Sequence, residues 1–127
     1  MEKIVRIGAG SGGLIDSALG ILQHLQGETT PDYVIFDHLG EGMMANMALQ
    51  QKGMAESGWS SAFFDMHVGP YLEKIAAKGI KVISNAGGIN PHGLARLLRA
   101  EAATLGIPLS AGVLTGDALR PMLGELE

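Results

Sequence analysis

Cysteine is absent from the 127 residues, so neither a disulfide framework nor thiolate chemistry is available. Charge is sparse as well. Charged residues make up 17% of the chain, the net charge is −4 and no stretch is strongly basic. Nucleic acid is therefore excluded as the main partner, because phosphate binding leans on Lys and Arg. No apolar run approaches the roughly 20 residues that cross a bilayer, so no membrane partner is expected. The opening Met1–Gly10, MEKIVRIGAG, lacks the long apolar core of a signal peptide. Together with the missing cysteines, that opening leads us to expect a cytoplasmic protein. Aromatic residues are only 5%, while there are seven methionines, which suggests a core filled with flexible side chains.

Glycine is abundant, with 19 residues, and most of them fall where apolar runs end. The stretch Ile80–Pro91, IKVISNAGGINP, shows the pattern most clearly. Ile80, Val82 and Ile83 suit a buried strand. Ser84-Asn85-Ala86-Gly87-Gly88 then forms a loop with little side-chain bulk. Asn90 is placed to cap a following helix, with Pro91 at its first position. The same grammar predicts a strand over Lys3–Ile7, a glycine loop over Gly8–Gly13 and a helix from Leu14 to Leu25 that stops at Gly27. It continues with a strand at Tyr33–Phe36, a helix over Gly40–Met54 and a loop over Ala55–Ser61. A third helix follows over Phe63–Ala77, interrupted at Gly69-Pro70, and then a helix over Pro91–Leu105. A fourth strand is expected at Leu109–Leu114 and a short last helix at Ala118–Leu126. Strands that alternate with helices imply a single α/β domain over residues 1–127. We expect an open, mostly parallel, four-stranded sheet with helices on both faces, a three-layer Rossmann-like or flavodoxin-like sandwich.

In such sheets ligands bind outside the carboxyl ends of the strands. The polar residues collect at those expected ends: Gly8, Gly10, Ser11, Gly12 and Gly13 with Asp16; Asp37 and His38 with Glu41; Ser84–Gly88 with Asn90; and Thr115–Asp117. Gly8, Gly10 and Gly13 match G-x-G-x-x-G, and Asp37 ends the next strand, as in a dinucleotide site. Asp37, His38 and Glu41 are candidate acid–base groups. As metal ligands they lack a recognisable spacing, and no metal is expected. An acid that ends the apolar run Tyr33–Asp37 should be partly buried, with a pKa set by burial against nearby backbone donors. For His38 a structural role bonded to backbone competes evenly with a chemical one. His67 reads as a helix-surface residue and His92 as solvent-facing near its helix start.

The segments GAGSGGLID, FDHLGE and SNAGGINP resemble the N-terminal part of the acyclic terpene utilisation proteins, the AtuA-type family. The resemblance covers nearly the whole chain, which looks like the N-terminal portion of a longer protein. It carries over Gly8, Gly10, Asp16, Asp37, Leu39, Glu41, Asn85, Gly87, Asn90, Pro91 and Asp117, although Leu14 and Ile15 separate Asp16 from the preceding glycine. The resemblance implies bacterial degradation of acyclic terpenoids through CoA thioesters. The reading that follows is an enzyme or ligand-binding domain acting on a branched acyl-CoA or carboxylate by hydratase- or lyase-type chemistry. Asp37, His38 and Glu41 would be catalytic. Gly8, Gly10, Ser11, Gly12, Gly13, Asp16, Asn85, Gly87, Gly88, Asn90 and Asp117 would bind the ligand. The cofactor is open between a CoA thioester and a nucleotide. A dinucleotide-binding oxidoreductase domain and a non-catalytic binding or assembly subunit are the alternatives. The 46% hydrophobic content in a small chain predicts a homo-oligomer or a partner subunit.

Overall fold

Three short strands with β-branched or glycine-rich sequences form the centre of the fold. A computed structural model describes residues 4–13 and 16–125. Strands β1 (Ile7–Ser11), β2 (Tyr33–Phe36) and β3 (Lys81–Ser84) form a three-stranded parallel sheet in the order β1-β2-β3. Ile7, Tyr33 and Lys81 share one row, followed by Gly8–Val34–Val82 and Ala9–Ile35–Ile83. Ser11 rather than Gly10 stands opposite Phe36, so the first strand is irregular at Gly10. The sequential order leaves no point at which strand order reverses, the usual place for a ligand crevice in wider sheets.

The first strand lies about one turn of chain later than the sequence predicts. Gly8 and Gly10 belong to β1 and are not loop residues. Close packing explains their identity. A Cβ on Gly8 would meet the His24 ring at 2.5 Å, and one on Gly10 would meet the Phe36 ring at 2.4 Å. Helix α1 (Leu19–Gln26) makes the same demand, because a Cβ on Gly20 would lie 2.1 Å from the Gly10 carbonyl oxygen. The glycines thus bring helix and strand backbones together, and His24 Nε2–H donates to the Ala9 carbonyl at 3.0 Å across that contact. Leu14 and Ile15 lie outside the described residues, but residues 16–18 are not helical, so α1 starts at Leu19, later than expected; it ends before Gly27 as expected.

Strand β2 and helix α2 (Glu41–Gly53) fall where the sequence places them. The third helical region is interrupted as expected. It starts as a π-turn over Phe63–Val68, tightens through Gly69–Tyr71 and continues as α3 (Leu72–Ala77). Pro70 has no N–H for an ordinary helical bond, and a Cβ on Gly69 would lie 2.6 Å from the Phe64 carbonyl oxygen. Helix α4 (Pro91–Thr104) begins at its expected cap, where Asn90 Oδ1 accepts the Gly93 N–H at 2.9 Å. The Asn90 amide also donates to the carbonyls of Glu56 and Ser57, tying that loop to the helix start.

One hydrophobic cluster joins α1 (Ile21, Leu25), β2 (Val34, Phe36), the π-turn (Phe63, Val68), α3 (Leu72, Ile75) and α4 (Leu94, Ala102). Trp59 packs against its edge. All of this lies on the sheet face that carries Val34 and Phe36. The opposite face holds Ile7, Ile35 and Ile83, which are 64%, 42% and 52% exposed. The expected helices on both faces are therefore not observed, and the described residues form two layers rather than three. The fourth expected strand is also unpaired. Residues 109–114 run beside β3 but across a cleft from it, and the last helix is a 3-10 turn over Arg120–Glu125.

Candidate functional site at the carboxyl rim

The carboxyl ends of the three strands meet through side chains. Asp37 and His38 follow β2, and Asn85 follows β3. The Asn85 side chain spans both: its Oδ1 accepts the His38 N–H at 2.7 Å, and its Nδ2 donates to Asp37 Oδ1 at 2.8 Å. The amide thus fixes the chain where it leaves β2. Asp37 also accepts the Leu39 N–H at 3.2 Å, a local turn that aspartate favours, and its own N–H donates to the Ser11 carbonyl at 3.1 Å.

These contacts correct the picture of a partly buried acid. The Asp37 side chain is at the surface and ionised. Donation from Asn85 and then from the Leu39 N–H holds its pKa below the ordinary value of 3.8, outweighing a small desolvation. The group withdrawn from water is its neighbour. His38 is 1% exposed, and His67 and Ser60 are 1% and 2% exposed. His38 Nδ1 lies 2.9 Å from Ser60 Oγ, and His38 Nε2 lies 3.1 Å from both His67 Nδ1 and Ser11 Oγ. His67 Nε2 is 2.8 Å from the backbone carbonyl of Asp16.

That last contact sets the tautomers. A carbonyl oxygen only accepts, so His67 carries its proton on Nε2 and its Nδ1 is an acceptor. His38 must then donate from Nε2 and accept on Nδ1 from the Ser60 hydroxyl. Ser60 Oγ in turn accepts the Phe63 N–H at 3.3 Å, and the Ser60 N–H donates to the Ala86 carbonyl at 2.8 Å. The hydrogen bonds run in one direction, from Ser60 through His38 and His67 to Asp16. Ser11 Oγ is a second acceptor for the His38 Nε2 proton, so the Ser11 hydroxyl keeps its own proton available to donate. Desolvation, then the neighbouring His67, lowers the His38 pKa from 6.5 to about 4, with Asp37 and Asp16 opposing weakly. Both the tautomer assignment and this shift require a neutral His38.

The structure joins Ser11, Asp37, His38 and Asn85 in one network, with Asp16 reached through its backbone carbonyl, and separates other candidates from it. Gly8 and Gly10 are within the sheet. Gly12 is at the rim, but its N–H already donates to Asp16 Oδ2 at 2.7 Å. Gly13 accepts the Asp16 N–H on its carbonyl at 3.3 Å, closing the same turn. Glu41 is exposed in the first turn of α2, and His92 is exposed at the start of α4. Asn90 caps α4. A Cβ on Gly87 would meet Pro91 Cα at 2.7 Å, and Gly88 adopts φ +52° beside Met47. Asn85, Gly87, Gly88 and Asp117 border the cleft of about 680 Å³ between β3 and residues 109–114. Ser60 and His67 were not among the expected site residues. His67 was expected on a helix surface and is instead buried, because the π-turn places it with Phe63 and Val68 on the core side. Among the described residues no group of three or more His, Asp or Glu is placed to hold a metal ion. No described helix is long and apolar enough to cross a membrane.

Fold and rim together define an α/β protein with a one-sided parallel sheet and a buried histidine pair behind the strand ends. Residues 5–127 match the family described as Acyclic terpene utilisation family protein AtuA, and the chain belongs to that family. No curated protein and no solved structure matches it.

Proposed function

We propose that the carboxyl rim binds an oxygen-bearing ligand, an acyl-CoA thioester or a carboxylate of acyclic terpenoid or branched-chain degradation, and that this domain takes part in hydratase- or lyase-type chemistry on it. The observation that carries the reading is the directed chain from Ser60 to His38, which branches from His38 Nε2 to His67 and to Ser11. A ligand oxygen that accepts the Ser11 O–H would strengthen the donation from His38 Nε2 to Ser11 Oγ, because successive hydrogen bonds polarise one another. Such a pair stabilises negative charge that develops on a thioester or carboxylate oxygen. Asp37 is ionised and held by Asn85, which suits a base better than an acid.

The dinucleotide reading is weakened by the placement of Gly8 and Gly10 inside β1, since that motif uses its glycines in the turn between strand and helix. The bare sheet face supports the reading of a binding or assembly subunit, because parallel sheets are ordinarily covered on both sides. Thermal melts with CoA, a branched acyl-CoA, ATP and NAD, each added separately, distinguish these readings. The acyl-CoA should raise the melting temperature of the wild type and of Asp37→Asn but much less that of Ser11→Ala. A shift with NAD alone would move the assignment to the oxidoreductase reading. No shift with any of the four would favour the assembly subunit.

A further inference from the structure

Residues 109–114 have the features of a strand without its pairing. Leu109, Ala111 and Val113 are half-buried, while Ser110, Gly112 and Leu114 are exposed, an alternation of period two. Leu109 starts beside Ile80 at the base of β3, where both border a second depression with Ile107. Further along, the segment lines one side of the 680 Å³ cleft whose other side is Lys81–Ser84. Strand β3 has β2 on one side only, so its other edge faces this cleft. Among the described residues the sole hydrogen bond to residues 108–118 is from the Arg99 guanidinium to the Ala111 carbonyl. Glycines flank the segment. Gly106 at φ +68° and Gly116 at φ +131° occupy a region that side chains disfavour, and neither has an atom within 4 Å of a would-be Cβ. Gly106 closes α4: its N–H donates to the Ala103 carbonyl at 3.1 Å and the Ile107 N–H donates to the Ala102 carbonyl at 2.8 Å, a helix end that needs a left-handed residue. Among the described residues no contact or hydrogen bond accounts for Gly116, which suits a hinge.

We infer that residues 109–114 are a latent fourth strand, which moves between the fixed end of α4 at Ile107 and the hinge at Gly116 to pair in parallel with β3. Closure fills the cleft, removes the exposed edge of the sheet and carries Thr115–Asp117 over the rim beside Asn85. The start of the segment beside Ile80 and the matching burial of the two chains fix the register. Val82 pairs with Ala111 and Ser84 with Val113 on the covered face, and Ile83 pairs with Gly112 on the other. The open form is populated because Ser110, Ala111 and Gly112 are poor strand formers, so few side-chain contacts reward closing.

The absence of cysteine makes a direct test clean. In the full chain, Val82→Cys with Ala111→Cys should cross-link under mild oxidation at least about tenfold faster than Ile83→Cys with Ala111→Cys, whose side chains would point to opposite faces of the closed sheet. Amide exchange of the unmodified protein gives a second reading. Backbone N–H groups at 109–114 have no acceptor in the open form, so alternate amides protected by about tenfold or more would report the closed population. Equal cross-linking of the two pairs would overturn the inference, as would unprotected exchange throughout 109–114. Protection that arises only when an extended peptide is added would also overturn it, since the cleft would then be a slot for a foreign strand.

Discussion

At the scale of the residue, the hydrogen-bond network of the rim rests on a histidine that stays neutral. For His38 a folded pKa of about 4 against 6.5 in the unfolded chain favours the neutral folded form by about 3 kcal/mol. The unfolded state binds more protons between those values, so this contribution is complete above pH 6.5 and is lost as the pH falls towards 4. Following the imidazole by NMR titration should give a midpoint near 4. A midpoint near 6.5 would mean that the ring is not held dry. Asn85 gives a complementary test. Asn85→Ala removes the acceptor for the His38 N–H and the donor to Asp37. It should cost about 1–3 kcal/mol in a denaturant melt, and the Asp37 titration should move up towards 3.8. An unchanged Asp37 titration would show that Asn85 does not hold the carboxylate.

At the scale of the element, glycine marks contact rather than looseness. The sequence made β2, α2, α4 and the Asn90 cap legible, because apolar periodicity and cap chemistry are local. It misplaced β1 for an equally physical reason. Gly8 and Gly10 look like a loop until the rings of His24 and Phe36 are in place beside them, and those rings come from elsewhere in the chain. The grouping of Asp37, His38 and Asn85 at the strand ends was legible, but which of them is buried was not. The acid lies outside and the histidine inside, because His67 and Ser60 arrive from a π-turn and a loop that no local pattern connects to β2. The glycines divide into two testable groups. Gly10→Ala should destabilise by about 1–3 kcal/mol, since the Phe36 ring cannot retreat without disturbing the core. Gly42→Ala in α2, with nothing within 4 Å of its Cβ, should leave stability unchanged or raise it by up to about 1 kcal/mol in the same melt.

At the scale of the whole molecule, the described residues cover the parallel sheet on one side only. The row Ala9–Ile35–Ile83 and the neighbouring Ile7 leave apolar surface in water on the other. Such a contiguous patch is uncommon on an isolated soluble domain. A dye that fluoresces on apolar surface should bind the native protein, and Ile35→Lys with Ile83→Lys should abolish that binding. Because both side chains are already about half exposed, the double variant should lose little stability. Dye binding that survives the double change would place the exposed apolar surface elsewhere, and the cleft beside β3 would be the next location to probe.

The single tryptophan gives the rim its own optical probe. Trp59 sits between Gly58 and Ser60, its indole N–H donates to the Glu56 carbonyl at 3.0 Å, and its ring rests against the core. The next residue, Ser60, bonds His38. Tryptophan fluorescence, excited beyond the absorption of Tyr33 and Tyr71, therefore comes from one location, next to the Ser60 that bonds the buried histidine pair. A change in its emission on adding a ligand reports an event at that loop without labels or mutation.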